Sequence, residues 1–69
     1  MLAEARRLKI IDIMSHAGNG VVSVSELASQ LGVSEMTIRR DMDWLEQRSI
    51  LTRVHGGAVA YRAETLGEN

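Results

Sequence analysis

The sequence contains no cysteine, which excludes a disulfide framework and any cysteine-based zinc site and makes a reducing compartment the natural setting. Phenylalanine is also absent, and Trp44 and Tyr61 are the only aromatic residues, so aliphatic side chains have to make the core. No apolar run approaches the ~20 residues needed to span a bilayer. The amino terminus mixes Glu4 with Arg6, Arg7 and Lys9 and lacks the apolar stretch of a signal peptide. The expectation is a soluble, cytoplasmic chain with no membrane partner. A basic excess is missing as well: the formal net charge is −1, which on its face argues against a nucleic-acid partner.

What is present must therefore be read from placement. With 69 residues the chain has room for one compact domain, burying roughly 60% of its unfolded surface. Two of the acids, Glu64 and Glu68, fall in the final stretch from Ala63 to Asn69, which has no periodic pattern and reads as the start of a linker. Without them the remaining domain, 1–62, is slightly positive.

From Leu2 to His16 the pattern is helical, with Ile10, Ile13, Met14 and Ala17 on one face. Gly18, Asn19 and Gly20 are expected to stop it with a left-handed glycine. Val21 and Val22 suggest a minimal strand, and Ser23 with Glu26 has the spacing of a capping box, opening a second helix that turns Val24, Leu27, Ala28 and Leu31 inward. Gly32 ends it. Ser34 follows as another N-cap, and Ile38, Met42 and Leu45 recur at helical spacing to define the buried stripe of a third helix, with Ser49 at its weak end.

Two helices joined by Gly32-Val33-Ser34 have the outline of a helix-turn-helix. On spacing alone the same residues equally describe an αα-corner in any small helical protein. Downstream, Ile50 to Val54 and Ala58 to Tyr61 are β-prone segments around a His55-Gly56-Gly57 turn. A hairpin in that position is a wing, or else simply a cap on the core. The expected fold is α+β, a winged helix-turn-helix of three helices with a small antiparallel sheet in the order α-β-α-α-β-β.

Stepping about 100° per residue from the buried stripe places Met36, Arg40, Asp43 and Gln47 outward on the third helix, flanked by Thr37 and Trp44 on one side and Arg39 on the other. A recognition helix inserts its N-terminal half into the major groove. Ser34, Glu35, Met36, Thr37, Arg39 and Arg40 are thus the candidate contacts. Arginine can fork onto guanine or clamp a phosphate, threonine offers a hydroxyl and a methyl, and a helix N-terminus favours an anion. The bland reading of Arg39 and Arg40 is a solvated face paired with Glu35 or Asp43; their place just after the turn favours DNA. Asp43 is expected to buffer Arg39 or Arg40, and Asp41 to bond locally or to a basic group on helix 1. Trp44 is expected to pack half-buried against its own fold. In the wing, Arg53, His55 and Gly56 are candidates for phosphate or minor-groove contact, with His55 equally readable as a turn residue.

Chemistry of other kinds finds little support. His55-Gly56-Gly57 echoes an oxyanion-hole segment, but no G-x-S-x-G elbow accompanies it. No metal-ligand spacing, Walker A loop or dinucleotide fingerprint occurs. No catalytic residue, metal or cofactor is expected. The rival reading is a winged helix that binds protein; apolar residues on the outward face would mark it, and only Met36 and Trp44 are there, with Arg39-Arg40 between them.

The run Ser34-Glu35-Met36-Thr37-Ile38-Arg39-Arg40-Asp41-Met42, the Arg53-Val54-His55-Gly56-Gly57-Ala58 wing and the Arg6 to Ile10 opening of helix 1 together resemble the amino-terminal domain of DeoR-family bacterial transcriptional regulators. The resemblance implies a double-stranded DNA operator as partner and a role as repressor of sugar or related carbon catabolism genes. It further implies a carboxy-terminal domain, not present in these residues, that binds a phosphorylated sugar effector and makes the full-length protein a homo-oligomer. Arg62 to Asn69 would begin the linker to it. Two positions depart from the family pattern: Met42 replaces the usual leucine, a nearly volume-conserving change, and Ser49 stands where glycine is usual.

Overall fold

The computed structural model describes residues 1–60. The strand end expected at Tyr61, the domain boundary at Arg62 and the linker over 63–69 lie outside the described residues. Among the described residues the order is α1 (Ala3–His16), β1 (Val21–Ser23), α2 (Val24–Leu31), α3 (Glu35–Gln47), β2 (Leu51–Val54) and β3 (Gly57–Ala60). This is the expected α-β-α-α-β-β winged helix-turn-helix, its sheet running β1-β3-β2 with both neighbouring pairs antiparallel. No helix of these residues is long and apolar enough to cross a membrane.

Each helix buries one stripe. Ile10 and Met14 from α1, Val24, Leu27 and Ala28 from α2, and Ile38, Met42 and Leu45 from α3 meet Val22, Leu51 and Ala58 of the sheet in one apolar cluster. Complete burial of a leucine- or isoleucine-sized side chain contributes about 1.5–3 kcal/mol, and Ile10, Leu27, Ile38, Met42, Leu45 and Leu51 all reach it. Ile13, Ala17 and Leu31 pack only partly buried against this cluster. Met42 fills the family's leucine site without exposure.

The helix ends divide by chemistry. Ser23 and Ser34 both act as N-caps, their hydroxyls accepting from the backbone N–H of Glu26 and Thr37 at 3.0 and 3.1 Å. Between α2 and α3, Gly32 takes the expected left-handed conformation with φ 69°. At the end of α1 the expectation fails: Ala17 caps the helix in extended conformation, and the left-handed residue is Gly20, in the turn into β1. Ser49 adopts φ 61°. Its N–H donates to the Glu46 carbonyl at 2.9 Å while that of Ile50 donates to Leu45 at 3.0 Å, the paired bonds of a Schellman motif built without glycine.

In the hairpin Val54 pairs with Gly57, leaving a loop of His55 and Gly56 alone. The turn is therefore one residue shorter than expected, and Gly57 belongs to β3. Its reason for being glycine is not the turn. A Cβ there would lie 2.0 Å from the Val22 carbonyl oxygen, because β1 crosses it at Ser23. The tip is tied down further by Val24, whose N–H donates to the Gly56 carbonyl at 2.9 Å. The wing is thus fastened to the start of α2.

Candidate nucleic-acid interface

The third helix is held in place from its inner side by an ion-pair cluster. Asp41, 1% exposed, accepts from Arg6 and, at 3.3 Å, from Arg7, both on α1. This is the partner on helix 1 that the sequence suggested. The hydrogen bond to Asp41 raises the pKa of the Arg6 guanidinium above its ordinary value, against the lowering effect of burial. Arg7 also lies over the Trp44 ring at 4.2 Å from its centroid, with Arg48 at 3.6 Å. Trp44 is half-buried against the core, as expected. Neither flanking guanidinium was anticipated: Arg7 lies 37 positions from Trp44 and gives no local signal, whereas Arg48 stands at the i,i+4 spacing that could have revealed it.

On the outer side, Ser34, Glu35, Met36, Arg39 and Arg40 are exposed and Thr37 is half-buried. Ser34 is committed to the cap, its hydroxyl also lying 3.0 Å from the Thr37 hydroxyl. The cap satisfies the Thr37 N–H and leaves those of Glu35 and Met36, in the first turn, without partners inside the helix. They are the positive end of its dipole. Glu35 accepts from Arg39 at 3.1 Å across one helical turn, an exposed pair worth only about 0.3–0.5 kcal/mol. Arg40 makes no hydrogen bond or ion pair among the described residues. Arg39 therefore follows its bland reading and Arg40 does not.

Asp43 requires a correction. Instead of buffering Arg39 or Arg40, it accepts from the guanidinium of Arg53 on β2. The Arg53 backbone N–H donates to the Glu46 carboxylate at 2.9 Å. Because β2 runs along the C-terminal half of α3, a residue ten positions away reaches the outward face. Arg53 is consequently half-buried rather than extended into solvent, and its Nε is buried without a partner. His55 and Gly56 are exposed at the hairpin tip, Gly56 with φ 77°. The sequence-selected residues thus fall into two groups, the first turns of α3 and the wing, joined through Asp43 and Arg53. Among the described residues no cluster of His, Cys, Asp or Glu could hold a metal ion.

The family model of the DeoR-like helix-turn-helix domain matches residues 6–64. Among curated proteins, the chain is 46% identical over 54 residues to the lactose phosphotransferase system repressor of Lactococcus lactis subsp. lactis, covering 77% of this chain and 20% of the relative. It is 47% identical over 54 residues to the putative galactitol utilization operon repressor of Escherichia coli strain K12, covering 78% and 46%. With the HTH-type transcriptional regulator GlpR of Haloferax volcanii it shares 39% over 72 residues, covering 99% and 28%. The chain spans less than half the length of each of these relatives. No solved structure matches the chain.

Proposed function

The chain belongs to the family of DeoR-like helix-turn-helix domains, and from that premise we propose that it is the operator-reading part of a transcriptional repressor of sugar or related carbon catabolism genes. α3 enters the major groove by its N-terminal half, with Thr37, Arg39 and Arg40 as contacts and the first-turn N–H groups against a phosphate. Arg53, His55 and Gly56 bring the wing onto the backbone or minor groove. The observation that carries this reading is the exposed Arg40, unpaired among the described residues, one turn beyond a capped and open helix N-terminus. An unpaired guanidinium there is free to fork onto guanine O6 and N7.

The relatives named as repressors of lactose and galactitol systems support the sugar assignment. A phosphorylated sugar bound by a further, carboxy-terminal domain beyond a linker at 63–69 would relieve repression, and a homo-oligomer in the cytoplasm would present two reading heads to the operator. Selection from random duplex DNA by the chain tests the core of the proposal and yields the operator. Arg40→Ala should then weaken binding to the selected duplex by about 1–3 kcal/mol at fixed salt, measured by fluorescence anisotropy. Unchanged affinity removes Arg40 from the interface, and recovery of no preferred sequence removes the operator reading.

A further inference from the structure

Two of the three arginines on the proposed DNA face are each held by a carboxylate. Glu35 holds Arg39 and Asp43 holds Arg53, while Glu46 takes the Arg53 backbone N–H. The other arginines of the described residues are committed elsewhere, Arg6 and Arg7 to Asp41 and Arg48 to Trp44. Arg40 is left as the one arginine of these residues with no such partner. The side chains of Glu35 and Asp43 are 49% and 60% exposed, so neither carboxylate is enclosed by the fold. They sit where a phosphate backbone would approach, and there they repel it and compete with it for the same guanidiniums.

That competition acts unequally on two kinds of DNA. Binding to arbitrary sequence draws essentially all its affinity from phosphate neutralisation, so each arginine already satisfied by a carboxylate is subtracted from it. Binding to the operator adds base contacts, and there Glu35 and Asp43 also hold their arginines in fixed directions, reducing the ordering needed on docking. We infer that Glu35 and Asp43 are specificity-determining residues: each keeps an arginine from indiscriminate phosphate contact, so that operator and non-operator DNA are separated by suppression of the latter. The inference rests on the DNA reading proposed above.

The test compares the wild-type chain with Glu35→Gln, Asp43→Asn and, as a control of equal charge change on α1, Asp12→Asn. Each is titrated by anisotropy against the selected duplex and a scrambled duplex of the same length and composition, over a series of salt concentrations. Thermal melts report folding. Glu35→Gln and Asp43→Asn should each tighten binding to the scrambled duplex by about two-fold, the order of one exposed charge pair. They should also steepen the logarithmic salt dependence by about 0.9 and lower the operator-to-scrambled ratio, while Asp12→Asn leaves that ratio unchanged. A ratio unaltered or raised in both variants, or lowered equally by Asp12→Asn, overturns the inference and leaves the DNA reading standing. A wild-type chain that binds neither duplex overturns both.

Discussion

Asp41 shows how one polar side chain can be placed between fold and function. It follows directly after Arg39 and Arg40 in the chain, yet it points the other way, 1% exposed, and takes hydrogen bonds from two arginines of α1. A buried ion pair adds little net stability over an apolar replacement, because desolvation offsets most of the Coulomb attraction. Breaking one is different. Removal of the single carboxylate strands the Arg6 guanidinium, whose side chain is only 14% exposed, and such a loss costs about 3–5 kcal/mol. A domain of this size has a total stability of about 3–9 kcal/mol. Asp41→Ala should therefore remove a large share of that stability, read as a much lower melting temperature by far-ultraviolet circular dichroism. Arg7→Ala should be milder, because Arg7 is the longer contact to Asp41 and Arg6 keeps the carboxylate satisfied. Equal melting temperatures for Asp41→Ala and wild type would show that the cluster contributes nothing.

At the scale of elements, the end of α3 is the place where a single substitution should improve the protein. Ser49 holds φ 61°, a conformation that costs a residue with a Cβ about 1–2 kcal/mol. The two Schellman bonds to Glu46 and Leu45 maintain it. Glycine has no such penalty but loses more backbone entropy on folding, so Ser49→Gly should gain about 0.5–1 kcal/mol, read as a melting temperature higher by a few degrees. A lower melting temperature would mean that the serine is favoured by something other than the backbone. This irregularity was legible in the sequence from a serine standing in a glycine position, as were the N-caps at Ser23 and Ser34 and the buried stripe of Ile38, Met42 and Leu45. Such features depend on neighbours within a turn or two. The extended end of α1 was not legible, because Gly18 and Gly20 both offer the left-handed conformation and only the path into β1 selects Gly20. Gly57 looked like a turn residue for the same reason; the Val22 carbonyl that forbids a side chain there lies 35 positions away. The pairing of Asp43 with Arg53 likewise depends on how β2 is laid against α3, which spacing along the chain does not encode.

For the whole molecule, size and charge together set how tightly one copy can grip DNA. The domain measures 21 × 20 Å across its two short axes, and its proposed contacts come from one helix end and a loop of two residues. That is enough for one groove segment, and a single module of this kind buries limited area. With a formal net charge of −1 over the whole chain and the arginines of its described residues largely paired, it also lacks the long-range attraction that strongly basic domains use to reach DNA. The physical remedy is a second copy. Two half-sites one helical turn apart are separated by about 34–36 Å, so a flexible tether spanning that distance makes the second docking step intramolecular. Such linkage raises avidity by about 10²–10⁴ without any new contact. Joining two copies of the chain by a glycine-serine linker, and measuring affinity for a duplex that carries two selected half-sites at one-turn spacing, should show a gain of that order. Shifting the half-sites by half a turn should abolish most of it, since the second copy then faces the opposite side of the duplex. A monomer that already binds one half-site at sub-nanomolar concentration in physiological salt would contradict the expectation, as would a gain indifferent to spacing.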